Sequence, residues 1–371
     1  MGPPKYRAKD SHLELPYGQD IFDSPYSHPV FASEETISRI MGCDDEHSLD
    51  RNLFPFVYII VIVVSIPVNC ASLCVARIQV KKKNELAIYL FSLSLADLLY
   101  SLTLPLWIDY TWHGDHWRFS SLLCKISAFL MYMNFYTSAA FLTCISIDRY
   151  LALVHPFRFQ YLRTRSFALL VSIFVWLLET SLNSVILVKK ETFTEFCNST
   201  HILCYEKYPL EKWQAILNIF RIVSGYMIPL AIMMFCYQKI YQTVRHNQAT
   251  EDTEKKKIKK LLLSIIITFF FCFTPYHIVL LIRSITELNN DKLANMFKCY
   301  RITQALTSFN CIADPILYCF VSESGRTDIL NMLRCCFCSQ QSESLQPKDV
   351  MVPSTITKNA SIVTMKTATE L

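Results

Sequence analysis

Seven apolar segments dominate the sequence, and each is about as long as a helix that crosses a lipid bilayer. Such a helix needs about 20 mostly apolar residues. The segments occupy residues 53–75, 86–107, 122–153, 167–187, 215–237, 261–282 and 300–320. Charged residues make up only 18% of the chain, whereas a soluble domain usually carries about a quarter. The pattern therefore predicts an all-α protein built as a seven-transmembrane helix bundle.

The loops between these segments differ in their content of lysine and arginine. The loops after segments one, three and five hold twice as many as the loops after segments two, four and six. Loops rich in basic residues face the cytoplasm, so the N-terminus is predicted to be extracellular. Asn198 begins the glycosylation acceptor "NST" in a loop predicted to be outside, which agrees. The basic loops predicted to face the cytoplasm then account for the net charge of +5, and no nucleic-acid partner is expected.

Both ends of the chain lack apolar periodicity. Residues 1–50 are predicted to form an extracellular arm that is mostly disordered, and the transmembrane domain follows at 51–322. Residues 323–338 contain "RTDILNMLR", which predicts a short amphipathic helix on the membrane surface, and 339–371 form a disordered cytoplasmic tail. Three cysteines at the end of this helix are candidates for reversible acylation, or else are free thiols: Cys335, Cys336 and Cys338.

Several ionisable residues lie within the apolar segments or at their ends. They are Asp97, Asp148, Arg149, Glu179, Arg221, His277 and Asp314. A charged side chain inside a bilayer is costly, so each such residue predicts a functional role. This pattern is not expected of a simple structural anchor.

The loop after the second segment contains "TWHGDHWRF", in which two histidines flank Asp115. Histidine is the side chain whose ordinary pKa lies closest to physiological pH, so the pair suggests a titrating cluster. The alternative is an aromatic belt at the membrane surface, with histidines that are merely hydrated. Four histidines are predicted to lie outside: His47, His113, His116 and His201. A protonated histidine there is expected to gain a carboxylate partner at Asp115 or Glu206.

Landmarks on successive segments resemble those of the rhodopsin-like G-protein-coupled receptors. They are Asn69 in "NCASLCVA", "LSLADLL", Cys124, "DRY", Trp176, Pro229, "CFTP" and "DPILY". The resemblance covers residues 50–335 and implies a rhodopsin-like bundle with the amphipathic stretch as an eighth helix. It also implies a plasma-membrane receptor whose partner is a heterotrimeric G protein.

Longer stretches are similar to the proton-sensing group of these receptors. They include "YLFSLSLADLLYSLTLPLWIDYTW", "LCYEKYPLEKW", "CFTPYHIVLLIR" and "LTSFNCIADPILYCFVSESGR". This similarity implies that the stimulus is extracellular acid, with protons as the ligand. It also implies coupling to the stimulatory G protein and a rise in cyclic AMP.

The resemblance assigns roles at the cytoplasmic end. The implied G-protein switch consists of Asp148, Arg149, Tyr237 and Tyr318. In receptors of this family the arginine is released to meet the G protein, and the tyrosines then hold it. Phe273 stands where many relatives have a tryptophan toggle, and Pro275 is expected to kink the sixth helix.

The resemblance also brings acidic residues together. The second and seventh helices pack side by side in this family, so Asp97 and Asp314 are expected to approach each other. Two carboxyls in one low-dielectric site cannot both ionise cheaply, so a shared proton is expected; a sodium pocket is the alternative. Glu179 is expected either to join them or to make only a core hydrogen bond. His277 is expected to sense protons, with simple packing as its alternative.

Five cysteines are predicted to lie outside. The resemblance pairs Cys124 with Cys204 as a disulfide. Cys43 is then left to pair with Cys197 or Cys299, and the sequence does not choose between them.

Other functions compete with the proton sensor. Buried carboxylates and histidines also make proton relays in transporters, but no internal repeat is present and only 6 glycines occur. No motif of an intramembrane enzyme appears, and neither a cofactor nor a metal ion is expected. A receptor for an anionic or glycosphingo-type lipid remains an alternative, because Arg221, Arg283 and Arg301 can attract a headgroup.

Overall fold

The structure is a computed structural model that describes residues 50–189, 192–194, 202–205, 210–246, 252–289 and 294–321. Residues 1–49 of the predicted arm, the eighth helix at 323–338 and the tail lie outside the described residues. The same holds for these predicted sites: His47, Asn198, His201, Glu206, Cys43, Cys197, Cys335, Cys336 and Cys338. Tyr318 lies on the last described helix.

Helices form nearly all of the described part of the chain. They are α1 (Asp50–Lys81), α2 (Leu86–Ser101), α3 (Leu104–Trp112), α4 (Ser121–Val154), α5 (Arg165–Asn183), α6 (Val185–Val188), α7 (Lys212–Ile222), α8 (Ile228–His246), α9 (Asp252–Thr268), α10 (Thr274–Asn289), α11 (Ala294–Thr307) and α12 (Asn310–Val321). A short 3-10 helix, Gln160–Leu162, precedes α5.

Within the ranges that the structure describes, six helical segments are long and apolar enough to cross a membrane, and we number them as spans one to six. They are Asn52–Lys81, Leu86–Trp112, Ser121–Val154, Arg165–Val188, Lys212–Arg245 and Lys260–Thr286. The seventh predicted segment is instead divided by a turn at 308–309 into α11 and α12. The amide N–H of Ser308 bonds to the carbonyl of Ala305, a turn contact that replaces the regular α-helical ladder there.

The helices place apolar side chains outside and polar ones inside. Large apolar side chains such as Val63, Phe174 and Phe270 are exposed on the outer faces of the spans. Asn69 and Asn134 are fully buried within the bundle. This arrangement suits lipid surroundings, in which apolar faces need no cover and polar groups must find partners inside the protein.

Spans five and six each contain a π-helical turn, Val223–Met227 and Phe269–Phe273. The two turns face each other, because the rings of Tyr226 and Phe269 stack with centroids 5.6 Å apart. The second turn ends two residues before Pro275, which lacks the N–H that a regular helix would use. π-helical turns are rare and often occur at functional sites.

One departure from the predicted all-α structure lies in the loop after span four. Thr192–Thr194 and Ile202–Cys204 form a two-stranded antiparallel hairpin, with Thr192 opposite Cys204. Cys204 forms a disulfide with Cys124 at the start of α4, as the sequence predicted. The disulfide ties the second strand of this hairpin to the start of span three.

Candidate functional site

The C-terminal end of span three carries the residues of the implied switch. Arg149 donates to one carboxylate oxygen of Asp148 through Nε, at 3.1 Å, and Nη2, at 2.7 Å. Tyr237 is half-buried and packs against the small apolar cluster that includes Ile240 and Leu262. In this conformation the guanidinium of Arg149 is therefore engaged within its own helix.

Two further charged residues complete this network. Arg163, in the loop before span four, places Nε 3.6 Å from the second carboxylate oxygen of Asp148. Its Nη2 donates to Glu85 at 2.9 Å. The sequence analysis missed both residues, because Glu85 and Arg163 are 78 positions apart and belong to no recognisable motif.

Asp97 and Asp314 are both buried in the middle of the bundle and lie close enough to interact electrostatically. Asn134 donates to Asp97 at 2.8 Å. Among the residues that the structure describes, no basic side chain forms an ion pair with either carboxyl. Two neighbouring carboxylates without a cation are costly in a membrane interior, so the arrangement favours a bound proton or a bound cation.

Glu179 belongs to a different group from this acidic pair. It accepts a hydrogen bond of 3.4 Å from the side chain of Asn183, one helical turn further on. Asn183 in turn accepts from Arg221 on span five at 2.9 Å. Arg221 also donates to the hydroxyl of Tyr205 and lies 4.1 Å above the ring of Tyr132. Of the two alternatives for Glu179, this conformation shows the core hydrogen bond, which connects it through Asn183 to Arg221.

His277 lies in the core of the bundle and is only 2% exposed. Its Nδ1 donates to the carbonyl of Phe273 at 2.8 Å, because a carbonyl oxygen can only accept. Its ring stacks on Tyr226, with centroids 4.5 Å apart. Within the described part of the chain Nε2 has no hydrogen-bond partner. The predicted toggle Phe273 is also buried. Its backbone carbonyl links the toggle residue directly to the candidate sensor His277.

The two histidines of "TWHGDHWRF" do not form a single cluster. His113 Nδ1 lies 3.4 Å from a carboxylate oxygen of Asp109, which also pairs with Arg118. His116 accepts a hydrogen bond of 3.2 Å from the amide of Ile202 in the hairpin. His113 Nδ1 also donates to the backbone carbonyl of Asp109 at 2.8 Å, so both rings already use Nδ1 in a hydrogen bond.

Asp115 has a basic side chain as a partner in this conformation. It forms a buried ion pair with Arg301 on α11. The guanidinium of Arg301 also lies 4.8 Å above the ring of Phe54 on span one. Gly114 and Asp115 both adopt left-handed backbone angles, with φ of 67° and 64°, and this turn leads the carboxylate into the bundle.

The tryptophans of the same stretch have different surroundings. Trp112 is 55% exposed, as an aromatic belt would require. Trp117 is buried, and its ring packs against Trp107 and Tyr110. The belt interpretation therefore fits one of the two tryptophans.

The three arginines considered for a lipid headgroup are all in contact with other side chains. Arg221 and Arg301 make the contacts given above, and Arg283 lies 4.5 Å above the ring of Tyr300. A small cavity is lined by Arg283, Tyr300, Tyr132 and Tyr205, among others. Each of the three guanidinium groups therefore lies against an aromatic ring, and Arg283 also lines this cavity.

Sequence comparisons identify the family. The family model described as "7 transmembrane receptor (rhodopsin family)" matches residues 68–318. The chain is 58% identical to G-protein coupled receptor 65 of Homo sapiens over 321 residues, which are 84% of this chain and 95% of that protein. It is 40% identical to G-protein coupled receptor 68 of Homo sapiens over 296 residues, 80% of each chain.

A third relative has a name that refers to a lipid. Lysophosphatidic acid receptor 6 of Gallus gallus is 33% identical over 293 residues, which are 76% of this chain and 94% of that protein. The family match and the helical spans agree on a multi-pass plasma-membrane receptor, rather than an enzyme, that works with a G protein. The chain belongs to the rhodopsin family of seven-transmembrane receptors.

Proposed function

We propose that this receptor is activated by extracellular acid and raises cyclic AMP through the stimulatory G protein. In this proposal the N-terminus and Asn198 face the outside, and Asn198 carries the glycan. The observation that carries the proposal is the buried pair Asp97 and Asp314, which lacks a basic partner within the described residues. A bound proton lowers the free energy of such a pair, because the two carboxyls then need not both be charged. In the proposal, His277 and His113 supply further sites for protons nearer the outer mouth.

The free energy needed to shift the receptor between its two states indicates how many titrating groups must take part in activation. Shifting a two-state equilibrium from 1:99 to 99:1 requires about 5.5 kcal/mol of differential binding. A group whose proton affinity differs by one pKa unit between the two states supplies about 1.4 kcal/mol. About four such groups are needed, and acid favours the state that binds protons more tightly. Histidines and carboxyls are therefore expected to act together.

The direct test is cyclic AMP in transfected cells, titrated from mildly alkaline to acidic medium and normalised to receptor at the cell surface. The medium should contain no lipid or serum, because the alternative is a receptor for an anionic or glycosphingo-type lipid. The relative named for lysophosphatidic acid favours that alternative, while the engaged arginines count against it. A response that appears only when lipid is added would overturn the proposal.

Asp314→Asn tests the acidic pair. A neutral amide resembles the protonated acid, so we expect higher basal cyclic AMP and a pH midpoint moved to less acidic values. Asp97→Asn serves as the matched variant, because it changes the other member of the pair. If the pH curve of Asp314→Asn overlays the parent curve, the shared proton is excluded, and a bound cation or simple packing explains the pair.

The histidines are tested by a series of phenylalanine substitutions. We expect His277→Phe, His47→Phe and the pair His113→Phe with His116→Phe each to move the midpoint to more acidic pH by a fraction of a unit. Combining them should move it further and flatten the curve, because fewer groups then titrate. His28→Phe, in the N-terminal arm, is the control. A combined variant with the parent's midpoint and steepness would make the histidines bystanders and leave sensing to Asp97, Glu179 and Asp314.

A further inference from the structure

Asp148 has two arginine neighbours, but they approach different oxygens and to different degrees. Arg149 makes two hydrogen bonds to Oδ2, whereas Nε of Arg163 lies 3.6 Å from Oδ1, beyond hydrogen-bond distance. The carboxylate itself is only 7% exposed. A buried carboxylate that loses its two hydrogen bonds to an arginine is costly, so the release of Arg149 requires something to replace them.

Arg163 has an unused donor beside that carboxylate. Its Nη2 is tied to Glu85, which directly precedes α2 and so lies at the favourable end of the helix dipole for an anion. Its Nε is buried and has no hydrogen-bond partner within the described ranges. A buried N–H without a partner raises the free energy of the conformation in which it occurs. Closing the 3.6 Å gap to Asp148 would remove this cost.

We propose that Arg163 becomes the ion-pair partner of Asp148 when Arg149 is released toward the G protein. Arg163 is then a positioning residue, held by Glu85 within reach of Asp148, and it favours the activated conformation in two ways. It gives the buried carboxylate a new partner, and it satisfies its own Nε in the same step. The inference rests on the proposed switch role of Arg149 and is independent of the nature of the stimulus.

The direction of the effect follows from this arrangement. Without Arg163, the release of Arg149 leaves Asp148 unpaired, and Arg149 no longer shares the carboxylate with a second cation. Both consequences favour the conformation seen here. Arg163→Gln should therefore lower basal signalling about fivefold and move the acid midpoint to more acidic pH by about half a unit, at unchanged surface expression.

The experiment compares five variants by cyclic AMP against pH and by basal nucleotide exchange on the G protein in isolated membranes. Arg165→Gln is the matched control, because this arginine is exposed in the same segment. Arg163→Lys keeps the charge but not the planar donor group and should recover part of the loss. In an Asp148→Asn background, Arg163→Gln should have no further effect, because the amide carries no charge that needs a partner.

The outcomes separate this inference from the proposed function. A parent receptor that exchanges nucleotide but ignores acid would contradict acid sensing, and the basal effect of Arg163→Gln would still decide the inference. An Arg163→Gln receptor with unchanged or higher basal exchange would overturn the role of Arg163. An effect of Arg163→Gln that is as strong in the Asp148→Asn background as in the parent would also exclude this role.

Discussion

Arg149→Ala is expected to abolish cyclic AMP signalling at every pH while leaving the receptor at the cell surface. The side chain bonds only to the adjacent Asp148 among the contacts that the structure records, so its loss removes little packing. In the implied switch this guanidinium must leave Asp148 and contact the G protein, and alanine offers no group for that contact. The measurement is surface-normalised cyclic AMP from alkaline to acidic medium.

Two further variants sharpen this test. Arg158→Ala removes an arginine from the next loop, where it lies over the ring of Phe159, and should leave the acid response intact. Arg149→Lys keeps the charge but loses the forked donor group, so a partial response is expected at most. Acid-induced signalling that survives Arg149→Ala would show that the implied role of this arginine is wrong.

Arg301→Met is expected to destabilise the folded receptor by about 3 kcal/mol or more, because it removes the guanidinium that forms a buried ion pair with Asp115. Methionine retains an apolar stem above Phe54, so the loss reports mainly on the charge. The measurement is the thermal unfolding midpoint of purified receptor in detergent at neutral pH. Surface expression in cells should fall in parallel.

The chain offers a close control for this prediction. Arg118→Met breaks the neighbouring pair with Asp109, which is partly exposed, and should cost no more than about 1 kcal/mol. The double variant Arg301→Met with Asp115→Asn should recover much of the lost stability, because no unpaired charge remains. Equal losses of stability for Arg301→Met and Arg118→Met would mean that the buried ion pair contributes no more to stability than the partly exposed one.

Interruptions in the helices were harder to predict than the helices themselves. Hydropathy located the seven segments, because the length and apolar content of a span are local properties. It did not predict the turn at Ser308–Phe309 or the π-helical turn at Val223–Met227. These interruptions depend on contacts with neighbouring helices, such as the stack of Tyr226 on Phe269.

One contact within the site was accessible from local spacing. Asn183 lies four residues after Glu179 on the same helix, so the two side chains share a face, and the structure shows them bonded. This four-residue spacing predicts a partner for Glu179 on span four itself, rather than Asp97 on span two. The further link from Asn183 to Arg221 crosses to another span and had no such signal.

Hydropathy and charge along the chain are enough to specify the number of apolar segments, the predicted side of each loop and the set of ionisable residues placed inside. Each of these properties depends on a residue and its near neighbours in sequence. The choice of partners depends on helix packing instead. Asp115 meets Arg301 across 186 positions, and Arg163 meets Glu85 across 78. An ion pair requires side chains within about 4 Å of each other, and only the packed bundle brings such distant residues that close.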